Sequence, residues 1–380
     1  MNAYKEIDHI TQLLGLVTEP CRIRQHAFQN LDFTDLADRA SQCTFERCLF
    51  LGCTLPDVFV RKLDKSNLIL PRLDAPYNMY RGFLYSAHSL YRGYDPDRPE
   101  TLEDCFDTRV YRHFLATGKS PTDIRETLCR YLHDHSMTNA LKDYLSRYHA
   151  AQIVGIMGGH ALLRTDPGYR KIVHLAKRLT ELGFIMVSGG GGGAMEATHL
   201  GAWLAERTDD EVEDALRMLS VAPRWSDSEW LSSAFKVRKK YYQTHFDSVA
   251  IPTWLYGHEL TTPFATYAAK YFDNSIREDT LLQIARGGLI FTPGGAGTLQ
   301  EIFQAAVPNH YETFGYASPM VFLGTDFWQR DVPVYLLMEH LVKQSTYNHL
   351  PICITDEIDE VVAILKSFRP KRDIANEQEN

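Results

Sequence analysis

Leu289-Ile290-Phe291-Thr292-Pro293-Gly294-Gly295-Ala296-Gly297-Thr298-Leu299-Gln300-Glu301 passes from an apolar run, through a proline and a glycine cluster, into a helical pattern. A short apolar run closed by Pro and Gly marks a buried strand, and the helix after it is expected from Leu299 to about Ala306. The same order recurs upstream. Ile153-Val154-Gly155-Ile156-Met157 ends in Gly158-Gly159-His160. A helix from about Tyr169 to Leu182 follows, with Ile172, Val173, Leu175, Ala176 and Leu179 on one face and Gly183 as its cap. Phe184-Ile185-Met186-Val187 ends in Ser188 and the glycines 189–193, before a helix opening at Ala194. Met320-Val321-Phe322-Leu323 and Ile352-Cys353-Ile354 supply later strands, and Asp356 is expected to cap a last helix reaching about Phe368. Such alternation predicts an α/β fold over residues 150–368, a Rossmann-like doubly wound parallel sheet with helices on both faces, followed by a polar tail, 369–380.

Residues 1–149 have a different texture, rich in Tyr, Arg and His with few glycines, and are read as a separate accessory region. Phe28, Phe33, Cys43, Cys48 and Cys53 keep a five-residue period broken only at Asp38, and Phe45, Phe50 and Leu55 form a parallel series. This resembles a pentapeptide-repeat β-helix over 27–56; a run of irregular strands is the alternative. Residues 84–149 are expected to be helical. Ser120-Pro121-Thr122-Asp123 reads as a helix start with Pro in the first turn, and a further helix is expected from about Met137 to Tyr148.

Lys and Arg number 40 against 48 Asp and Glu, a formal charge of −8 that argues against a nucleic-acid partner. No apolar run has the length of a membrane span and no secretory leader is visible, so a cytoplasmic protein without a membrane partner is expected. Seven cysteines without a CxxC pair are expected to be reduced thiols, and no metal site is predicted.

Two glycine-rich strand-to-helix turns in one domain are the informative feature. At each, backbone amides and the positive end of a helix converge on one spot, and missing side chains let an anion approach. Both turns are expected at the carboxyl edge of the sheet, with a phosphorylated ligand between them. Gly190, Gly191 and Gly192 of the first turn, and Gly294, Gly295, Gly297 and Thr298 of the second, are the candidate phosphate contacts. Neither turn is a Walker A, and Gly155 begins no GxGxxG, so ATP hydrolysis and dinucleotide redox chemistry lose ground.

Pro293 to Glu301, PGGAGTLQE, fills every fixed position of the PGGxGTxxE motif of the Lonely Guy (LOG) family, formerly called lysine decarboxylases, and Ser188 to Ala197, SGGGGGAMEA, resembles its first glycine loop. The resemblance covers roughly residues 150–368. It implies a phosphoribohydrolase that cleaves the N-glycosidic bond of nucleoside 5′-monophosphates, needs no cofactor, and is a homodimer or higher homo-oligomer. It also implies an arginine about 15 residues before the PGG turn; Arg277 lies 16 residues before Pro293. Arg238, in Phe235-Lys236-Val237-Arg238-Lys239, is similar to the family's MxxRK but lies far upstream, and is kept as a phosphate contact. The stretch from about Trp225 to Phe272 departs from the smallest family members.

Cleaving a ribosyl C1′–N bond builds positive charge on the sugar. A carboxylate beside C1′ stabilises that charge and orients or deprotonates the attacking water. Glu301 is the catalytic candidate, with Arg277 supplying a fixed positive charge to phosphate, ribose or the carboxylate. Thr298-x-x-Glu301 is also a capping box, which would give Glu301 a purely structural task. Glu196 reads either as a first-turn acid favoured by the helix dipole or as a second, ribose-binding acid. His160 reads as a ligand contact or a structural histidine, and Trp254, Tyr256 and His258 as the lining of a base pocket or as packing. A non-catalytic nucleotide carrier or sensor is the alternative function.

Overall fold

The computed structural model describes residues 4–370 apart from Gln243 and His349; residues 371–380 of the polar tail lie outside the described residues. The chain forms two compact units. One holds residues up to Leu84 together with His113–Asp143, and the other holds Tyr85–Arg112 and the described residues from Tyr144 onward.

The first unit opens with six short strands, β1 (Lys5–Ile7), β2 (Arg22–Arg24), β3 (His26–Gln29), β4 (Thr44–Glu46), β5 (Leu49–Leu51) and β6 (Leu68–Leu70). All pair in parallel, in the order β1-β3-β5-β6 in one sheet and β2-β4 in another. Phe28 is in register with Phe50, and Ile23 with Phe45, so successive passes of the chain stack like on like. The five-residue series lands on inward side chains: Phe28, Phe33, Cys48 and Phe50 are fully buried. The Phe28 and Phe50 rings stack at 5.1 Å and those of Phe33 and Phe59 at 5.2 Å. Cys43 and Cys53 are only partly buried. No Gly or Pro interrupts residues 124–145, and one helix, Ile124–Leu145, stands where a break before Met137 was expected. Its start also differs: the Asp123 carboxylate accepts the Arg125 amide at 2.9 Å, and Pro121 lies ahead of the first turn.

The second unit is built on a parallel seven-stranded sheet, β7 (Ile153–Met157), β8 (Ile185–Ser188), β9 (Ser248–Ala250), β10 (Tyr267–Ala268), β11 (Gly288–Phe291), β12 (Met320–Leu323) and β13 (Ile352–Thr355). The order is β10-β9-β8-β7-β11-β12-β13. The chain winds outward from β7 to β10, returns to lay β11 beside β7, and winds outward the other way. The doubly wound α/β fold expected from the sequence is therefore present, and its switch point lies between β7 and β11. Strands β7, β8, β11 and β12 are buried throughout, as sheets covered on both faces require.

Residues 85–112, read from sequence as part of the N-terminal region, belong to this second unit. Tyr85 bridges Ala268 with backbone bonds of 2.9 and 2.8 Å, and Asp107 forms a buried ion pair with Lys270 at 2.8 Å while accepting the Trp254 indole N–H at 3.0 Å. An ion pair formed out of water holds only if both partners stay, which fixes this segment against β10. Asp356 does not cap the last helix, Ile358–Ser367: its carboxylate accepts the Thr325 amide at 3.0 Å, and Glu357 stands at the cap position.

The helix Pro167–Glu181 packs against Ala194–Trp203, and Gly201 makes the approach close. A methyl at residue 201 would overlap the Val173 carbonyl oxygen. Gly201→Ala is expected to destabilise the unit by about 2 kcal/mol through overpacking; a urea unfolding midpoint equal to wild type would show that the helices can part.

Candidate functional site

At the switch point, the carboxyl ends of β7, β8 and β11 surround a cavity of about 520 Å³. Three backbone stretches form its floor: Gly158 to Ala161 after β7, Gly189 to Gly191 after β8, and Gly295 to Thr298 after β11. The turns are tied directly to one another. The Gly159 amide donates to the Pro293 carbonyl at 3.2 Å, and the Ala194 amide to the Gly159 carbonyl at 3.1 Å. Gly193 has φ of 64°, and a side chain there would strike the Gly159 carbonyl.

The helix after β11 starts at Ala296, three residues earlier than expected, and runs to His310. Gly295 is its cap residue and no side-chain cap bond is present. Thr298 therefore lies inside the first turn, and Glu301 one turn further along. The capping-box reading of Thr298 and Glu301 falls with that shift. First-turn amides of an α-helix have no partner within the helix, so those of Ala296, Gly297 and Thr298 present an anion site to the cavity.

Glu301 and Arg277 meet on this wall. Arg277 is buried on the helix Asn274–Ile284, and its Nε donates to the Ile251 carbonyl at 2.7 Å. Its guanidinium lies so close to Gly189 that a methyl at 189 would overlap Nη2. Burial pushes the Glu301 carboxyl up to about 7, the positive charge of Arg277 pulls it down, and Glu278 raises it further. Burial prevails because the carboxyl loses water without gaining a hydrogen-bond donor among the described residues.

That balance has a cost in stability. The folded state holds the Glu301 proton more tightly than the unfolded chain does. Ionisation therefore costs nothing below about pH 4.5, and the penalty grows until pH passes about 7. Glu301→Gln is expected to stabilise the protein at pH 8 by on the order of 2–3 kcal/mol and to leave its stability at pH 4.5 unchanged. Thermal melts at the two pH values check this; equal melting temperatures at pH 8 would mean an unstrained carboxylate.

Gly190, Gly191, Gly295, Gly297, Thr298 and His160 all reach the cavity. Gly192 does not: it faces Trp225, whose Cβ would lie 2.5 Å from a methyl at 192. Gly294 is turned toward the Thr298 side chain instead of the open space. Glu196 is no ribose ligand. It is fully buried in a two-pronged ion pair with Arg164, at 2.5 and 2.8 Å, and accepts the Tyr169 hydroxyl at 3.0 Å. Arg238 is no phosphate contact either; its guanidinium lies 4.3 Å over the Trp203 ring, and burial lowers its pKa to about 10. Trp254 is a core residue against Asp107 and Phe272. His258 is exposed outside the lining, 5.9 Å from the Trp225 ring.

Glu278, Gln300 and Met195 are among the wall residues that the sequence did not mark as site residues, and Glu259 lines the wall with them. Glu259 lies 3.2 Å from the His160 ring nitrogen Nδ1. Tyr256 does line the cavity, as the base-pocket reading of 254–258 allowed. Among the described residues no group of three or more His, Cys, Asp or Glu is placed to hold a metal ion.

No protein-family model and no curated protein matches the chain. Among solved structures it is similar to the structural-genomics target TM1055, with 18% identity and a TM-score of 0.37, over 57% of this chain and 99% of that one. It is also similar to a molybdenum cofactor binding protein from the phototrophic bacterium Rippkaea orientalis, at 15% identity and a TM-score of 0.34, over 57% of this chain and 95% of that one. No helix among the described residues is long and apolar enough to cross a membrane.

Proposed function

We propose that the chain is a homo-oligomeric hydrolase that cleaves the N-glycosidic bond of nucleoside 5′-monophosphates, yielding free base and ribose 5-phosphate. The observation that carries this reading is Glu301, a carboxyl of near-neutral proton affinity beside Arg277 in a cavity floored by glycine-loop amides. A pure binder of anions has no use for a carboxyl there.

The 5′-phosphate takes the first-turn amides of Ala296, Gly297 and Thr298, with the backbone of Gly189 to Gly191 facing it. Anchored at that end, the nucleotide brings C1′ to Glu301, a gain in positioning as well as affinity. As the C1′–N bond breaks, its electron pair leaves with the base and positive charge develops on the ribose. Glu301 takes a proton from water as the water oxygen bonds to C1′, and that proton goes on to the departing base. A carboxyl whose proton affinity lies near neutrality suits both halves of the transfer. Arg277 offsets the negative charge gathered in the cavity.

Chromatographic assay of free base from a panel of nucleoside 5′-monophosphates and the matching nucleosides tests this reading. Release that requires the 5′-phosphate supports it. Binding of a nucleotide with no release from any would leave the protein a nucleotide sensor.

A further inference from the structure

The cavity holds a carboxylate that the reaction outlined above does not use. Glu278 follows Arg277 on the helix Asn274–Ile284 and lines the same wall as Glu301. Two side-chain amides grip it: the Asn274 Nδ2 donates to Oε1 at 2.8 Å, and the Gln300 Nε2 donates to Oε2. Gln300 precedes Glu301, so the grip joins the helix of Arg277 to the helix of Glu301. Glu301, by contrast, has no such donors among the described residues. Two carboxyls in one cavity, one gripped by N–H donors and one left bare, are set up for different tasks. The other charged or titratable groups on the wall are Arg277, Glu259, His160 and Tyr256.

We infer that Glu278 is a second catalytic carboxylate of this site, a fixed negative charge that stabilises the developing positive charge on the ribose while Glu301 carries the proton. The inference rests on the nucleosidase reading and adds a division of labour to it. Glu278 neither gains nor loses a proton in the cycle. The bond broken is C1′–N, the bond formed is C1′–O from water, and the proton passes from water through Glu301 to the base. Glu301 alone serves both ends only in part: once it has accepted the proton it is neutral, and any charge the sugar still carries is then left without a facing carboxylate. Glu278 closes that gap, and its two amide donors hold it in place without a counter-charge that would cancel it. The same negative charge also makes Glu301 a stronger base, which is the direction in which Glu278 acts on it.

The test uses the full-length chain with Glu278→Gln and Glu278→Lys, each first shown to melt cooperatively like wild type. Gln removes the charge and keeps an oxygen for one of the two amide donors, while its N–H faces the other, whose amide can turn to present its own oxygen; Lys reverses the charge. With the nucleotide that wild type cleaves best, kcat is expected to fall about 10- to 100-fold in Glu278→Gln, with KM within about threefold, and at least as far in Glu278→Lys. In a sample with 13C-labelled glutamate side chains, the Glu301 carboxyl is expected to titrate at lower pH in Glu278→Gln than in wild type. A merely structural Glu278 would still shift Glu301 through its charge but would leave kcat unchanged, so kcat separates the two roles. Base release with unchanged kcat in Glu278→Gln, or an unmoved Glu301 midpoint, overturns the inference alone. Absence of base release from wild type overturns the nucleosidase reading and this inference with it.

Discussion

Glu301→Gln is expected to release base from a nucleoside 5′-monophosphate at least about a hundredfold more slowly than wild type, with KM nearly unchanged. The asymmetry follows from where the two jobs lie. In the proposed reaction, phosphate anchoring falls to backbone amides at Gly189 to Gly191 and Ala296 to Thr298, which the substitution leaves alone. Proton transfer in the same proposal falls to the side chain that has been removed. The pH dependence carries the same signature. Because Glu301 titrates at about 7, wild-type kcat/KM is expected to fall as pH drops through that value, since the proton-free carboxyl must meet the attacking water. The residual activity of the Gln variant is expected to show no such limb. Steady-state assays of both proteins across neutral pH decide this; an equal rate in the two would assign the chemistry elsewhere. Paired with the stability gain expected at pH 8, the variant trades activity for stability, as removal of a half-buried charge from a functional cavity should.

A second large effect is expected away from the cavity. Arg164 is buried, and its guanidinium reaches both Glu196 oxygens, the Ala222 carbonyl at 3.2 Å, the Ser233 hydroxyl at 2.9 Å and the Trp230 carbonyl at 3.1 Å. Arg164→Ala would leave the Glu196 carboxylate buried without its counter-charge, and is expected to cost about 3–5 kcal/mol. Replacing both partners, as in Arg164→Met with Glu196→Leu, is expected to recover most of that loss, because neither charge is then stranded. Urea unfolding of the single and double variants measures the difference. If the double variant is no more stable than Arg164→Ala, the cluster contributes through packing and its polar bonds to Ser233 and Trp230, not through charge.

The architecture of the second unit was legible where apolar runs end in glycine. β7, β8, β11 and β12 sit on such runs, β13 sits on an apolar run closed by Thr355 and Asp356, and Gly183 takes the positive φ of 88° expected of a cap. β9 and β10 were not legible, because three residues and two residues are too few to carry a period. The start of the helix at Ala296 was missed since glycine is a weak helix former, and the PGGAG run reads as turn throughout. Arg277 and Glu301 were placed by motif spacing, and the fold brings them to one wall. Glu196, just after a glycine loop, and Trp254, in an aromatic and polar stretch, went astray for one reason: such a residue looks the same in sequence whether it faces a ligand or the core. Only the partner decides, and Arg164 and Asp107 lie far away along the chain. Glu278 and Gln300 were invisible for the converse reason, as their pairing joins two helices across a turn that sequence does not measure.

The sheet order separates the wall of the cavity by chain segment. Gly158 to His160, Gly189 to Gly191, Arg277 and the helix from Ala296 come from the strands around the switch point and the helices joined to them. Tyr256 and Glu259 come from the connection between β9 and β10 at the far edge. An edge connection can be lengthened, shortened or exchanged without breaking a central strand pairing. Under the proposed function, changes in that connection would alter which molecules are admitted while leaving the backbone amides and Glu301 in place.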